Sequence, residues 1–211
     1  MDKALIIFDL DGTLIDSRED LRTGVNLMRA DYGMQPLDLS TVSSYIGNGA
    51  EKLAERSLQG ADIPLSEALT LMRKYYTEHM FEHTAPYPDV LDGLKRLKEN
   101  NYKTAVVTNK PHDSCVAILK HLKMDIFFDE ILGASDTFAL KPAPDMLEEV
   151  MHRTSTLQEN SWMVGDNYTD MESGRHAKVK TCFVTYGFGV LKDKDYDLAV
   201  DSLIQFAEKI I

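Results

Sequence analysis

The sequence predicts an α/β fold: a Rossmann-like parallel sheet with helices on both faces and an inserted all-helical segment. Short apolar runs alternate with helical patterns over most of the chain, which is typical of βαβ units. From about residue 17 to residue 83 there is no strand pattern, only helical segments punctuated by Pro and Gly. We therefore expect a core at residues 1–16 and 84–211 and a helical domain at residues 17–83.

Five short runs of apolar and β-branched residues are the expected strands of the core. Runs of this length suit strands that are buried in a parallel sheet. They cover residues 4–8, 103–108, 130–134, 161–165 and 179–184. Apolar residues at helical spacing predict core helices within residues 89–99 and 112–122. The helical patterns of the insertion cover residues 17–32, about 39–46, 49–58 and 65–82.

Composition narrows the classes of function. The 211 residues carry 23 Lys and Arg against 34 Asp and Glu, a formal net charge of −11. This balance argues against a general nucleic-acid binder but permits an anionic substrate, because a metal ion or a few lysines can set the field inside a cleft. No apolar run reaches the roughly 18 residues of a membrane span, and no signal peptide is evident, so we expect a cytoplasmic protein without a membrane partner. Cys115 and Cys182 are isolated and are expected to be buried or partly buried thiols.

Polar residues follow four of the expected strands at their carboxyl ends. Because open α/β sheets bind ligands outside the carboxyl ends of their strands, we expect these residues to share one edge of the sheet. They are Asp9 and Asp11, Thr108 and Asn109, Lys141, and Asp166 with Asp170.

These residue types suit phosphoryl chemistry. Carboxylates bind Mg²⁺, which uses one or two of them together with substrate phosphate. A carboxylate can also attack phosphorus and form an aspartyl phosphate, and a second carboxyl nearby can act as general acid and then as base. A lysine and a hydroxyl can offset charge on the transferring group. A single pair of aspartates is common in solvated turns, so the whole set carries the prediction.

Four motifs occur in a recognisable order. They are Asp-x-Asp-Gly-Thr-Leu-x-Asp-Ser at 9–17, Thr-Asn at 108–109, Lys-Pro-x-Pro at 141–144 and Gly-Asp-Asn-x-x-Asp at 165–170. Through them the chain resembles the haloacid dehalogenase superfamily over nearly its whole length. The insertion resembles the small helical cap that closes over the active site in this family. Dehalogenases proper lack the second aspartate of the first motif, so Asp11 favours phosphoryl transfer.

The resemblance implies roles for the three aspartates nearest the chemistry. Asp9 would be the nucleophile and a metal ligand. Asp11 would be the general acid and base, and its backbone carbonyl would also touch the metal. Asp166 would complete a Mg²⁺ site.

The resemblance also implies a phosphate-binding set. Thr108 and Lys141 would bind and stabilise the phosphoryl group, and Asn109 belongs to the same motif. Asp170 would lie outside the metal ligands and brace Lys141 or a metal-bound water. The alternative for Asp170 is a first-turn carboxylate that is favoured by the dipole of its helix.

The insertion carries Tyr-Ile-Gly-Asn-Gly-Ala-Glu-Lys-Leu at 45–53, which is similar to the corresponding segment of bacterial phosphoglycolate phosphatases. Gly47 and Gly49 permit close backbone approach, and the amides at the following helix start favour an anion. With Asn48 and Lys52 they are the expected contacts of the substrate's leaving group. The alternatives are an ordinary interhelical turn and an exposed lysine without a role.

The expected function is hydrolysis of a small phosphorylated metabolite, best matched by 2-phosphoglycolate, by a monomer or homodimer. Pyrophosphate, nucleoside monophosphates and sugar phosphates are alternatives within the family. A phosphosugar mutase is less favoured because Asp170 is typical of the hydrolases. A non-catalytic module that binds a phosphorylated ligand is the alternative of a different class, and Asp9 and Asp11 together speak against it.

Three histidines are the remaining candidates. His79 and His83 have the spacing of helical metal ligands, but no third ligand is evident, so a solvated or packed helix face is favoured. His112 follows the second motif and either caps a helix or reaches the cleft.

Overall fold

The computed structural model describes residues 4–211, which form nine α-helices and eight strands. The first part contains β1 (Leu5–Phe8), β2 (Ile15–Asp16), α1 (Arg18–Asp31), α2 (Leu39–Tyr45), α3 (Ala50–Leu58), α4 (Leu65–His79) and β3 (Ala85–Pro86). The second part contains α5 (Val90–Glu99), β4 (Lys103–Pro111), α6 (His112–His121), β5 (Glu130–Ala134), α7 (Asp145–Thr154), β6 (Ser161–Gly165), α8 (Tyr168–His176), β7 (Lys180–Val184), β8 (Leu198–Val200) and α9 (Leu203–Ile210).

Six strands form one parallel sheet in the order β5-β4-β1-β6-β7-β8. Strand β1 lies inside the sheet, with Phe8 level with Val106 on one side and Val164 on the other. The chain continues from β4 to β5 on one side of β1 and from β6 to β8 on the other. This reversal of strand order is the place where open α/β sheets bind ligands.

The side chains of β1 alternate between two buried layers, as the pleat of a strand requires. Leu5 and Ile7 belong to the cluster that includes α7, whereas Ile6 and Phe8 belong to the cluster that includes α5, α6 and α9. All four side chains are fully buried. The predicted fold class, a parallel sheet with helices on both faces, is therefore confirmed.

The structure extends the expected pattern in several places. The five predicted strands are present, but β4 continues to Pro111 instead of ending at residue 108. The sequence analysis missed the short strands β2, β3 and β8 and the helix α9. Helix α4 ends at His79 rather than at residue 82. Cys115 and Cys182 are buried, and no helix within residues 4–211 has the length and hydropathy needed to cross a bilayer.

Helices α1–α4 lie between the two strands of a small antiparallel ribbon. In this ribbon Ile15 of β2 pairs with Pro86 of β3, so the chain leaves and re-enters the sheet at neighbouring points. Asp20, in the first turn of α1, is fully buried and accepts hydrogen bonds from the backbone N–H groups of His83 and Thr84 and from the Thr84 hydroxyl. These bonds hold the two connecting segments together.

Candidate active site

A cavity of about 990 Å³ lies at the carboxyl edge of the sheet, opposite the helices of the insertion. The strand ends and their loops contribute most of the residues that the sequence analysis singled out, and the insertion contributes two glycines from its predicted turn. They are Asp9, Asp11, Thr108, Asn109, Lys141, Asp166, Gly47 and Gly49. The loops after four different strands therefore converge on one space.

Lys141 is a buried lysine at the carboxyl edge of the sheet, between two of the aspartates. Its side chain is 1% exposed, and its Nζ lies 2.9 Å from Asp9 Oδ1 and 2.7 Å from Asp170 Oδ1. The ammonium also donates to the carbonyl of Val107 at 2.8 Å. Burial acts to lower the pKa of Lys141, but the two carboxylates outweigh it, and the pKa lies above its ordinary value. Lys141 is therefore a fixed positive charge beside Asp9.

Asp166 is held by three donors. Its Oδ2 accepts from the backbone N–H groups of Phe188 at 3.0 Å and Gly189 at 2.7 Å, and its Oδ1 accepts from the Thr13 hydroxyl at 3.3 Å. Burial raises the pKa of Asp166 well above its ordinary value, and the charges of Asp170 and Asp9 add to that effect. A buried carboxylate close to two other carboxylates is stabilised in its charged form by a nearby positive charge.

The acidic set fits a divalent cation. Asp9, Asp166 and Asp170 each offer one oxygen, and these oxygens lie within 4.8 Å of one another. Only one ammonium, that of Lys141, contacts this set in the part of the chain that the structure describes, so negative charge remains in excess. Asp9 Oδ1 is buried, and apart from the Lys141 ammonium at 2.9 Å no donor within residues 4–211 contacts it. Hard carboxylate oxygens with this surplus charge are what Mg²⁺ prefers.

Asp170 differs from the other two carboxylates because both of its oxygens are engaged. Oδ1 pairs with Lys141, and Oδ2 accepts from the backbone N–H of Asn167 at 3.0 Å. Burial raises the pKa of Asp170 to about 6, with Lys141 acting in the opposite direction. Asp9 and Asp166 are consequently the better candidates for direct metal contact, and Asp170 is placed to orient Lys141.

Asp11 faces a cation. The Nζ of Lys110 lies 3.1 Å from both carboxylate oxygens, and the Ser17 hydroxyl donates to Oδ1 at 2.5 Å. The Lys110 side chain is 3% exposed. Burial acts to lower the pKa of Lys110, but Asp11 and Tyr76 together outweigh it, and the pKa lies above its ordinary value. Lys110 directly follows the Thr-Asn motif and Ser17 ends the first motif, but the contacts of both residues with Asp11 were not predicted from the sequence.

The turn after β1 requires glycine at position 12. Gly12 has a φ of +89°, which L side chains rarely adopt, and a Cβ there would lie 2.1 Å from Asp166 Oδ2. The glycine of the first motif therefore brings the backbone against the Asp166 carboxylate. A larger residue would displace that carboxylate.

Thr108 and Asn109 lie toward the carboxyl end of β4, beside the cavity. Thr108 is buried and lines the cavity. The Asn109 side chain is fully engaged within the protein: it accepts from the backbone N–H of Lys141 and donates to the carbonyls of Lys141 and Gly47. Asn109 thus fixes the Lys141 loop and joins it to the insertion, which differs from the expected contact with substrate.

The glycine turn of the insertion reaches the cavity, but Asn48 does not line it. Gly47 and Gly49 have φ values of +110° and +89°, and a Cβ at Gly47 would lie 2.6 Å from Asn167 Nδ2. The Asn48 amide donates to the Tyr168 hydroxyl at 2.7 Å and accepts from Arg56 at 2.9 Å. Asn48 therefore connects the insertion to α8 instead of facing the cavity.

The expected position of Lys52 is corrected by the structure. Its side chain is 56% exposed, pairs with Glu55 at 2.5 Å and does not line the cavity. Helix α3 turns its buried face, with Leu53 and Ala54, toward the rest of the protein, so the preceding position points to solvent. The sequence pattern around Lys52 does not reveal which helix face meets the sheet edge.

The three histidines have separate surroundings. His112 lines the cavity and accepts from the backbone N–H of Gly133 at 3.3 Å. His79 pairs with Glu82 and His83 with Asp20, so they do not form a common metal site. Among residues 4–211 the one cluster of metal-ligand type is the acidic set at the sheet edge.

The sequence analysis also missed two other contributions to the site. The loop of Phe188 and Gly189 holds Asp166 through backbone N–H groups, for which the side-chain pattern gave no signal. Residues Met72, Arg73, Tyr76 and Thr77 of α4 line the cavity, and none of them was among the expected site residues. Met72 and Tyr76 are buried, so they contribute both to the packing of the insertion and to the cavity wall.

Comparison with known proteins supports the family that the four sequence motifs predict. The family model for haloacid dehalogenase-like hydrolases matches residues 6–184. A phosphoglycolate phosphatase of Psychrobacter arcticus is 35% identical over 202 residues, which cover 92% of this chain and 88% of the relative. One of Aquifex aeolicus is 34% identical over 197 residues, 93% of this chain and 91% of the relative.

A solved structure of a predicted phosphoglycolate phosphatase from Haemophilus somnus is 27% identical to this chain. It superposes with a TM-score of 0.93 over 99% of this chain and 98% of its own. The family predicted from the four motifs is therefore confirmed. The chain belongs to the haloacid dehalogenase-like hydrolase family.

Proposed function

We propose that the chain is a Mg²⁺-dependent phosphatase that hydrolyses a small phosphomonoester, with 2-phosphoglycolate as its best substrate. The observation that carries the proposal is the Asp9 carboxylate. It lies at the end of the inner strand β1, faces a cavity, and has its buried Oδ1 2.9 Å from the Lys141 ammonium. Asp11, two residues later, faces the same cavity.

In the first step an Asp9 oxygen forms a bond to phosphorus while the bond from phosphorus to the leaving oxygen breaks. Asp11 transfers a proton to that leaving oxygen, so the product departs as an alcohol. Lys141 and Thr108 stabilise the negative charge on the phosphoryl oxygens. Asn109 fixes the Lys141 loop, and Asp170 orients the Lys141 ammonium by direct contact.

In the second step Asp11 removes a proton from a water molecule, which attacks phosphorus. The bond from Asp9 to phosphorus breaks, inorganic phosphate leaves, and Asp9 returns as a carboxylate. Mg²⁺, held by Asp9, Asp166 and the backbone carbonyl of Asp11, would neutralise phosphoryl charge and fix the geometry of attack. Lys110, 3.1 Å from Asp11, keeps that carboxyl aimed at the cavity through both steps.

We also propose that residues 17–83 act as a cap over the core formed by residues 1–16 and 84–211. Gly47, Gly49 and the cavity face of α4 are the parts that cover the sheet edge. Closure over the site would exclude water from the reaction until product leaves. A cytoplasmic location and a monomeric or homodimeric state stay predictions of the sequence.

The substrate is proposed from two arguments. Relatives that cover most of this chain are named phosphoglycolate phosphatases. The glycine turn at 47–49 brings backbone close to the edge, which suits a short substrate. The cavity of about 990 Å³ also favours a second candidate, a larger ester such as a nucleotide or sugar phosphate, because ordinary ligand sites span about 300–1,000 Å³.

A panel of phosphorylated metabolites tests the proposal. We expect the highest kcat/KM with 2-phosphoglycolate, loss of activity with excess chelator, and recovery with Mg²⁺. Ca²⁺ should inhibit, because its longer bonds and higher coordination number misplace the nucleophile. Full activity in chelator would contradict the metal site. A sugar phosphate or nucleotide at the top of the panel would replace the proposed substrate and leave the chemistry in place.

A further inference from the structure

The cavity wall contains four Lys and Arg side chains, and three of them already have carboxylate partners. Lys141 contacts Asp9 and Asp170, and Lys110 contacts Asp11. Arg153 pairs with Glu149 and Glu130. Arg73 of α4 is the fourth, and no carboxylate within residues 4–211 lies within ion-pair distance of it.

The paired lysines are poorly suited to reading a variable group on the substrate. Lys110 and Lys141 are almost fully buried, and each pairs with a buried or partly buried carboxylate of the reaction centre. Moving either ammonium to a new anion would leave that carboxylate without its partner, which is costly inside a protein. Arg73 is exposed and breaks no ion pair when it binds an anion.

Arg73 belongs to a cavity-facing stripe of α4. Tyr76 and Thr77 follow it by three and four residues, the spacing of neighbours on one helix face, and both line the same cavity. The Tyr76 hydroxyl is buried and has no hydrogen-bond partner in the described part of the chain. Burial raises the pKa of Tyr76 to about 12, so this hydroxyl keeps its proton and stays a donor at neutral pH.

We infer that Arg73 is a specificity-determining residue, whose guanidinium binds an anionic group, a carboxylate, on the leaving part of the substrate. This inference rests on the proposed phosphatase function and assigns the role that the sequence had given to Lys52. The planar guanidinium fork matches a carboxylate with two parallel hydrogen bonds. The core edge binds the phosphoryl group, and α4 supplies the charge for the other end.

The experiment compares 2-phosphoglycolate with ethyl phosphate, in which a methyl group stands where the carboxylate was. Both share the phosphoryl group and an alkyl leaving oxygen. R73A should lower kcat/KM for 2-phosphoglycolate by about ten- to a hundredfold, and for ethyl phosphate by less than about threefold. R73K keeps the charge but loses the fork, so it should recover part of the loss.

Lys74 supplies the matched control. It is the next residue on α4, is exposed and does not line the cavity; its ammonium lies 5.4 Å from the ring centre of Tyr75. K74A removes the same charge from the same helix and should change kcat/KM by no more than about twofold for either substrate. An equal loss in K74A and R73A would overturn the inference, because it would indicate a general field effect.

The outcomes separate this inference from the proposed function. A wild-type protein that prefers 2-phosphoglycolate, together with an R73A variant that keeps this preference, would overturn the role of Arg73 and leave the function standing. Equal losses for both substrates in R73A would do the same. A wild-type protein that hydrolyses neither ester with Mg²⁺ would overturn the proposed function, and the inference with it.

Discussion

The two walls of the cavity differ in how their polar groups are held. On the sheet side Asp166 accepts three hydrogen bonds, Lys141 contacts two carboxylates, and Asp11 contacts both Lys110 and Ser17. On the helical side Arg73 is exposed without an ion-pair partner in the range described, and the Tyr76 hydroxyl has no hydrogen bond there.

This difference separates two tasks. Groups that stabilise a transition state act best when their positions are fixed before substrate arrives, and the sheet side provides such fixed positions. Groups that select a leaving group need unsatisfied capacity, because an occupied donor must first lose its partner. The walls can therefore be tested separately, by changes that abolish chemistry and changes that alter only selectivity.

The largest effect should come from Asp9→Asn. The amide cannot form the aspartyl phosphate, so turnover should fall by at least about a thousandfold. Circular dichroism should show an unchanged fold, since Asn nearly matches Asp in shape. Asp136→Asn is the control, because Asp136 is an exposed carboxylate of the same cavity. Turnover within tenfold of the wild type would remove Asp9 from its proposed role.

Asp11→Asn should be almost as severe, but its effect should depend on the leaving group. Loss of a general acid costs about a hundred- to ten-thousandfold when the leaving oxygen is basic. We expect a large fall in kcat/KM with ethyl phosphate and a much smaller one with an activated aryl phosphate, because kcat/KM reports formation of the aspartyl phosphate and the aryl group departs without a proton. If the two esters lost the same factor, Asp11 would not be the acid.

The acidic set should couple Mg²⁺ to stability in a pH-dependent way. Burial raises the pKa of Asp166, and that of Asp170 to about 6. A raised pKa in the folded state gives stability that is full below the unfolded value near 3.8 and is lost as the pH rises through the folded value. For Asp170 the metal-free protein therefore loses this contribution between about pH 4 and pH 6.

We expect Mg²⁺ to raise Tm more at about pH 8 than at about pH 5, because the deprotonated carboxylates then repel one another without the metal and bind it better. Thermal unfolding with and without Mg²⁺ at both pH values measures this. Asp166→Asn is the matched variant and should lose most of the Mg²⁺-dependent rise. The same rise in Tm at both pH values would show that these carboxylates do not bind the metal.

The smallest effect should come from Lys52→Ala. This change removes an exposed ion pair with Glu55, and such pairs contribute little. The kcat/KM values for 2-phosphoglycolate and ethyl phosphate should both stay within about twofold of the wild type. A selective loss with 2-phosphoglycolate would show that α3, rather than α4, recognises the leaving group.

The residues on the sheet side of the site could be predicted from the sequence, because the position of a residue at a strand end follows from the strand assignment alone. Once β1 and β6 are recognised as parallel strands, Asp9 and Asp166 must lie at one edge. Whether a residue of an inserted helix faces the cavity or solvent depends instead on how that helix packs against the core. This is why Lys52 was misplaced by one helix position relative to Leu53, which does line the cavity.

The direction of individual side chains also could not be predicted from the sequence. Lys110 stands in a recognisable motif, yet only the three-dimensional arrangement shows that it reaches across to Asp11 and lies over the Tyr76 ring, 4.6 Å from its centre. The strands β2 and β3 have two residues each, which is too few to produce an alternating pattern. Their pairing depends on residues about seventy positions apart.

That pairing has an evolutionary consequence. Because Ile15 and Pro86 are partners, the helical insertion begins and ends at adjacent points, and Asp20 ties its return segment to its first helix. A segment with neighbouring ends can be replaced by a shorter, longer or different one without shifting the register of the strands that carry it. Under the proposed cap function, the ribbon would therefore allow the helical insertion to be exchanged without disturbing the sheet edge that carries Asp9 and Asp166.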